Sequence, residues 1–513
     1  MPEFSSARSQ PGHVPSSTIA SSSRPWVFAA ALATIFMAAV EGTIVATATP
    51  TIVGELGGFE LLSWVFTAYL LTQAITIPIY GRLADLYGRK RMLLIGIGLF
   101  LVGSVLCGLA WDMVSLIAFR VLQGIGTGAL IPVAMTIVGD LYTPAERARM
   151  QGYISSVWST AAVAGPVIGA FLIAHATWPW VFWLNVPIAI GAAVLLVVAL
   201  REQLQPRQHQ MDYLGLGLLT LGLGCLMFAL IQASRLSTPV FLGLLAAAAA
   251  ALTGLILHER RAAEPIVPLA LWRNPLVATS AVAGLAVGAI TMGSSVFLSL
   301  YVQNVMGRSA TVAAWVLMAM SFSWMFGSIA GGRLMLTSSY RMTVAAGAVW
   351  LLPGTAMMIL LTPDRSPVWA AIAGFLIGIG LGFVNNTFTV VVQAAVEHHQ
   401  RGVATSSLVF MRIIGQSLGT AVYGGILNAG VARHMSGSGD VVSRLMDPKL
   451  RESLPETAVG PLVSAMAEAL HNVYVIQGAA ALLAVATALC LPAGLSPVRK
   501  AKKDRSEQVS ATR

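Results

Sequence analysis

The chain has 513 residues, of which 56% are hydrophobic and only 10% are charged. Soluble proteins of this size carry about a quarter charged residues, so the composition excludes an ordinary soluble domain and indicates a protein surrounded by lipid. The net charge of +10 would suit nucleic-acid binding, but the cations lie in short segments between apolar runs. This placement is typical of membrane topology, and we expect no nucleic-acid partner.

Residues 1–25 are rich in Ser and Pro and are predicted to form a disordered cytoplasmic N-tail. Fourteen apolar runs long enough to cross a hydrocarbon layer of ~30 Å follow along the chain. They lie near 26–50, 61–80, 92–110, 114–136, 150–174, 180–200, 212–232, 239–258, 275–301, 311–332, 342–361, 368–392, 404–428 and 473–492. These runs predict an all-α polytopic membrane protein with fourteen transmembrane helices.

Lysine and arginine side chains predict how these helices are oriented. The short loops on one side of the membrane hold fourteen Lys and Arg residues and those on the other side hold three. Short loops rich in Lys and Arg stay in the cytoplasm, so both termini are predicted there, including the basic C-tail 493–513. A longer segment, 429–472, is predicted to be a loop on the outer side. We therefore expect an integral protein of the plasma membrane, the inner membrane of a bacterium.

A charged segment, Gly81–Arg91, lies between the second and third runs and is predicted to be a tight cytoplasmic loop. Its Gly-x-Leu-x-Asp-x-x-Gly-Arg-Lys pattern resembles the loop motif of the Major Facilitator Superfamily, which implies that family's fold and a transporter. Charged side chains gathered at helix ends can form a latch, and a solvated loop with weak surface pairs is the plainer alternative. The predicted cytoplasmic gate consists of Gly81, Asp85, Gly88, Arg89 and Asp140.

Three short patterns recur at an offset of 250 or 251 residues: Gly81-Arg-Leu at Gly332, Arg91-Met at Arg341, and Gly165-x-x-x-Gly at Gly415. Transporters are commonly built from repeated halves with the substrate between them. The predicted domains are accordingly a six-helix bundle at 26–200, a linker with two inserted helices at 201–274, and a second six-helix bundle at 275–492.

Glu41 is the one acidic residue predicted deep inside a span. A carboxylate in the membrane is energetically unfavourable and is usually retained for function, such as proton transfer. Counting 1.5 Å per residue, Glu41 and Arg120 lie at similar depths in the outer half. We therefore predict that the two side chains face each other and couple protons to transport; a static structural ion pair is the alternative.

Gly165, Pro166 and Gly169 form a pattern that is predicted to break the fifth helix with a kink and a tight seam. It partly matches, and so resembles, the motif of antiporters in the superfamily. The segment Trp178–Pro187 resembles a motif of the fourteen-helix drug:proton antiporters, with Pro179 where the family has arginine. These resemblances imply multidrug efflux by antiport.

Polar and aromatic residues inside the predicted spans are candidates for lining the substrate cavity, although such amides also serve as hydrogen bonds between helices. They are Gln73, Trp158, Tyr301, Gln303, Asn385, Asn386, Arg412 and Gln416.

The sequence therefore predicts a proton-coupled exporter of hydrophobic or cationic small molecules that works by alternating access. The alternative is a transporter of the same fold for one physiological solute, such as a vitamin, siderophore or amino acid. No catalytic or nucleotide-binding motif indicates an enzyme, and we expect no cofactor and no metal. The expected partners are the substrate, protons and the lipid bilayer. A monomer is expected, and the sequence leaves open whether a periplasmic adaptor binds.

Overall fold

The computed structural model describes residues 23–142, 144–202, 212–262, 266, 269–396, 401–434 and 456–491. Within these ranges the chain is almost entirely helical, and no residue there is in a β-strand. The predicted all-α fold is confirmed. The predicted tails 1–25 and 493–513 lie largely outside the described residues, and the domain boundaries stay predictions.

Fourteen long helices follow one another, and we number them in chain order. The first half contains α1 (Arg24–Leu56), α2 (Leu62–Tyr87), α3 (Arg89–Gly108), α4 (Met113–Leu141), α5 (Pro144–His175) and α6 (Asn185–Ala199). The inserted pair is α7 (Tyr213–Ile231) and α8 (Thr238–Glu259). The second half contains α9 (Pro275–Val305), α10 (Ala310–Thr337), α11 (Tyr340–Ile359), α12 (Pro367–Ala395), α13 (Arg401–His434) and α14 (Glu456–Ala486).

Short polar residues stand immediately before several of these helices and determine the residue at which each helix begins. Asp112 caps α4, because its Oδ1 accepts a hydrogen bond of 2.6 Å from the backbone N–H of Ser115. That hydrogen bond holds the pKa of Asp112 below its ordinary value. Ser309 and Ser339 cap α10 and α11 in the same way. Such caps satisfy backbone donors that the first helical turn leaves free.

Thirteen of the helices in the described ranges are long and apolar enough to cross a membrane. The fourteenth, α13, spans 34 residues but is more polar, because it carries Arg412, Gln416 and Asn428. Between Ser407 and Val431 none of its residues is exposed, so other helices enclose these polar groups. The fourteen-helix count therefore agrees with the prediction, although α13 would not be recognised by hydropathy alone.

Two predicted boundaries and one predicted helix break are wrong. The helix predicted at 473–492 begins at Glu456, so much of the predicted outer loop 429–472 belongs to α13 and α14; residues 435–455 lie outside the described part. The predicted loop Gly81–Arg91 is almost wholly helical, and only Gly88 separates α2 from α3. Gly88 adopts a φ of 94°, which glycine tolerates. Finally, α5 passes through Pro166 without a break.

The helices alternate in direction, so each end of the bundle can be named by its connections. The end at which α2 is followed by α3, around Gly88, is called the basic end, and the opposite end the far end. One apolar cluster joins both halves and includes Val45, Phe66, Val287 and Leu427. A separate cluster fills the basic end of the first half.

The inserted pair packs on the outside of the seam between the halves. Helix α7 contacts both α2 and α13. Gly425 of α13 lies against the backbone carbonyl of Leu230 in α7 so closely that a Cβ atom there would overlap it. The predicted arrangement of two six-helix bundles with two additional helices is thus present.

Candidate transport site

Glu41 and Arg120 form an ion pair inside the first half. Nη1 of Arg120 donates a hydrogen bond to Oε1 of Glu41. The exposed fractions of the two side chains are 0% and 1%, so the pair is sealed from solvent in this state. The contact that the sequence predicted is observed. Because α1 continues beyond Pro50 to Leu56, Glu41 lies near the middle of α1 rather than towards its end.

Further groups hold the Arg120 guanidinium in place. Its Nε donates to the backbone carbonyl of Val65 at 3.0 Å, and Nη1 donates to Oε1 of Gln123 at 2.6 Å. Its Cζ lies 4.0 Å from the centre of the Tyr69 ring, which is a cation–π arrangement. Gln123 in turn donates to Oγ of Ser104 at 2.8 Å. Arg120 therefore keeps several partners even when Glu41 is neutral.

Asn185 is the second donor to the Glu41 carboxylate, and sequence reasoning did not assign it to the site. Its Nδ2 lies 2.6 Å from Oε2 of Glu41. Asn185 is buried, and its Oδ1 has no hydrogen-bond partner. The sequence signal for Asn185 is its place in the segment Trp178–Pro187, a pattern that indicates a family rather than a site.

Small residues on α4 bring this network together. A Cβ atom at Gly124 would overlap Tyr69 and Thr72 of α2, and one at Gly126 would overlap the backbone of Phe100 in α3. Small residues allow helix backbones to approach closely in a membrane. The glycines thus let α4 lie deep between its neighbours, where Arg120 reaches α1.

At the basic end, Glu202 and Lys90 join α3 to the end of α6. The Glu202 carboxylate accepts hydrogen bonds from the backbone N–H groups of Arg89 and Lys90, at 2.8 and 2.9 Å. Nζ of Lys90 donates to the carbonyls of Val197 and Leu200, at 2.9 and 2.6 Å. Each charge lies at the helix end whose dipole it complements. Nothing in the sequence pattern pointed to Glu202.

The predicted gate residues meet in part. Nη1 of Arg89 lies 3.4 Å from Oδ2 of Asp140, and both side chains are about one-third exposed, at 34% and 37%. Gly88 is the junction itself, and Gly81 lies within α2 with open space around it. The side chain of Asp85 lies outside the described residues. A gating role for this cluster stays a prediction.

The glycines of the predicted antiporter motif pack against α1. Cβ atoms at Gly165 and Gly169 would contact Thr43, Ile44 and Thr47. Pro166 is buried between them inside the unbroken helix. The predicted tight seam is present, next to Glu41 in sequence, whereas the predicted break is absent.

The predicted cavity residues divide by burial. Gln73 and Tyr301 are buried, and the Tyr301 hydroxyl donates to the carbonyl of Leu361 at 3.2 Å. Gln303 donates to the Thr47 carbonyl in the other half at 3.2 Å, and Asn386 donates to the Ser328 carbonyl at 2.9 Å. Half-buried side chains are those of Trp158, Gln303, Asn385, Asn386, Arg412 and Gln416.

Comparison with known proteins identifies the family. The family model described as Major Facilitator Superfamily matches residues 30–420. The chain belongs to the Major Facilitator Superfamily. Two similar Bacillus subtilis (strain 168) members are Multidrug resistance protein 3 and Multidrug transporter protein MdtP. The first is 33% identical, over 89% of this chain and 92% of its own length. The second is 34% identical, over 83% and 77%.

Solved structures of this superfamily show the same fold. The inward-facing, unoccupied crystal structure of a bacterial homologue of the human lysosomal transporter Spinster superimposes with a TM-score of 0.65. The superposition covers 92% of this chain and 97% of that one at 18% identity. This Major Facilitator protein is therefore an integral membrane protein, and the two Bacillus members to which it is similar carry multidrug names.

Proposed function

We propose that this Major Facilitator protein exports hydrophobic small molecules in exchange for protons. The observation that carries the proposal is the Glu41 carboxylate, which is sealed from solvent. It accepts hydrogen bonds from the Arg120 guanidinium and the Asn185 amide, and a proton can take the place of such a hydrogen bond. Membrane-embedded ionisable residues of this kind mark substrate and proton pathways. The multidrug names of the two Bacillus relatives support a broad substrate range.

The proton step follows from the contacts of Glu41. A proton that binds Oε1 replaces the hydrogen bond from Arg120, and the guanidinium is left with Gln123 and the Val65 carbonyl. Loss of the proton restores the ion pair. The network therefore has a protonated and a deprotonated arrangement, and a proton would shift the population of any conformation that favours one of them.

The direction of export depends on the predicted orientation, with the basic end in the cytoplasm of a bacterial cell and both termini on that side. Four contacts join the two halves at the far end, where Thr47, Glu60, Ser63 and Thr67 meet residues of α9 and α13. They support a state that is closed outside and accessible from the cytoplasm.

The test is efflux of lipophilic dyes from loaded cells and uptake into everted vesicles across a pH gradient. The panel contains cationic ethidium together with neutral and anionic dyes. We expect Glu41→Gln to abolish transport driven by the pH gradient, because glutamine cannot exchange a proton. Glu468→Gln, an exposed carboxylate on α14, is the matched control. Intact pH-driven transport in Glu41→Gln would disprove the coupling role, and no efflux of any dye would favour a transporter for one solute.

A further inference from the structure

Arg412 is a cation for which the described residues supply no carboxylate. Its one side-chain hydrogen bond is from Nη1 to Oδ1 of Asn385, at the long distance of 3.5 Å. Its Nε is inaccessible to solvent and has no partner. A guanidinium in the membrane is unfavourable unless an anion or several acceptors compensate its charge. Arg412 is therefore not half of a structural ion pair among the described residues, and its charge has no compensating anion there.

The neighbours of α13 show which way Arg412 faces. Gly415 lies against α9, Ser417 donates to the Thr67 carbonyl of α2, and Gly425 lies against α7. With 3.6 residues per turn, Arg412 and Gln416 share one face of α13, which lies between the contacts with α9 and those with α2. Their backbones border Gly288 of α9. Because α9 belongs to the second half and α2 to the first, this face adjoins the interface between the halves. Arg412 and Gln416 are partly rather than fully buried.

The depth of Arg412 places it within reach of the basic end. It lies roughly 17 Å along α13 from Arg401, and Asn385 lies roughly 15 Å along α12 from Ala395, at 1.5 Å per residue. The hydrogen bonds that the structure describes between the two halves lie towards the far end, whereas the basic end of the first half has an apolar cluster of its own. A solute that enters between the halves from the basic end would therefore meet Arg412.

The charge balance of this interior is positive. Among the side chains that the structure describes, Glu41 is the one buried carboxylate away from a helix end, and Arg120 neutralises it. Arg412 adds an unbalanced positive charge, and protonation of Glu41 would add to the imbalance. Low-dielectric surroundings strengthen the attraction of such a cation for an anion.

We propose that Arg412 binds the anionic group, a carboxylate or phenolate, of amphiphilic substrates. This inference rests on the proposed function and specifies its substrate class. The planar guanidinium can hold a carboxylate through two parallel hydrogen bonds. The neighbouring side-chain amides of Gln416 and Asn385 can orient the anion, and apolar residues of the interior receive the rest of the molecule. A cationic substrate, one of the two classes that the sequence predicts, would be repelled at this position.

Binding of matched probes to the purified full-length protein tests this proposal without any gradient. The probes are pyrenebutanoate, its uncharged methyl ester and pyrenebutylamine, followed by fluorescence titration in detergent. We expect the wild type to bind the carboxylate about tenfold tighter than the ester, a ratio that corresponds to one charge-assisted contact. Arg412→Gln should reduce this ratio to about one without changing ester affinity, and Arg412→Lys should restore part of it.

Arg433→Gln, an exposed arginine on the same helix, is the matched control and should leave the ratio unchanged. The proposal is overturned if the wild type prefers the amine, or if Arg412→Gln keeps the wild-type ratio. Should Arg412→Gln bind no probe at all, Gln416→Leu decides: a reduced ratio supports the anion site and an unchanged ratio contradicts it. Because binding needs no pH gradient, an intact ratio in a protein that fails to transport would refute only the proposed function.

Discussion

Glu41 of α1 has hydrogen-bond partners from two other helices: Arg120 reaches it from α4 and Asn185 from α6. Removing one partner of a buried ion pair typically destabilises a protein by about 3–5 kcal/mol, because the remaining charge is left uncompensated. The pair is therefore coupled in stability as well as in the proposed transport step.

A double-mutant cycle measures that coupling. Arg120→Met should lower the stability of the protein strongly, since it leaves Glu41 buried without a cation. The double variant Glu41→Gln with Arg120→Met should recover much of the loss, by about 2 kcal/mol or more. Thermal unfolding in detergent is the measurement. Additive effects of the two substitutions would contradict a coupled pair.

Asn185 is expected to set the pH range of transport. Asn185→Leu removes one of the donors that stabilise the charged form of Glu41, a hydrogen bond worth about 1.5–3 kcal/mol. The proton is then released less readily, so the pH of half-maximal transport should rise by about one unit or more. Vesicle uptake measured across a pH series checks this. An unchanged pH dependence of uptake would mean that the Asn185 amide contributes to packing but not to the protonation of Glu41.

Sequence reasoning found the pair but not its surroundings. Glu41 and Arg120 stand out because charges are rare in apolar runs, and counting residues gives their depth. Asn185 and Ser104 are ordinary polar residues, and only the packing of α6 and α3 onto α1 and α4 selects them. The same limit applies to Arg412, whose lack of an anionic partner becomes visible only once its neighbours are placed.

Helix seams built on glycine repeat in both halves. Gly165 and Gly169 of α5 pack on α1, and Gly415 and Gly419 of α13 pack on α9 in the same manner. The repeat offset in the sequence thus coincides with equivalent contacts, because closely approaching backbones require the smallest side chain at fixed positions.

The seam between α3 and α4 offers a clean test. A Cβ atom at Gly126 would overlap the backbone of Phe100, whereas one at Gly98 would meet open space. Gly126→Ala should therefore destabilise the protein by about 1–3 kcal/mol through overpacking. Gly98→Ala is the control and should be neutral or slightly stabilising. Equal unfolding temperatures for the two variants would show that the seam can relax.

Glu202 is expected to stabilise the junction of α2 and α3. Its carboxylate satisfies two backbone donors at the start of α3. Glu202→Ala should cost about 1 kcal/mol, as the loss of a helix cap does, and Glu202→Gln should retain part of the effect. Hydrogen exchange at the first turn of α3 reports it directly. Unchanged protection in Glu202→Ala would mean that Glu202 does not stabilise the start of α3.

The ends of the helices show why hydropathy alone does not predict where a helix begins and ends. Helix α14 begins at Glu456, before its apolar run, because helix formation needs packing and backbone hydrogen bonds rather than uniform apolarity. Helix α2 likewise extends through its charged end to Tyr87. The lengths of apolar runs predicted the number of helices well and their ends poorly.

Small and polar contacts join the two halves at the far end. Asn428 of α13 donates to the Glu60 carbonyl at 2.8 Å, and Glu60 also pairs with Arg235 of the inserted pair at 3.4 Å. Few such contacts are strong individually, so the two halves can separate there when conditions favour the other state. No sequence pattern indicated this closure, since it depends on how two halves meet.

Gly424 is the position at which this closure can be prevented. Its face of α13 lies so close to Ser63 of α2 that a Cβ atom would overlap the serine side chain. Gly424→Val should therefore favour the state that is open at the far end. If the overlap destabilises the closed state by about 5.5 kcal/mol relative to the open one, the populations change from about 99% closed to about 99% open. Distances between spin labels at the ends of α2 and α13 measure the change.

Gly243→Val, on the inserted α8 with nothing nearby, is the control and should keep the wild-type distribution. A far end that stays closed in Gly424→Val would mean that the halves do not separate along the α2–α13 seam.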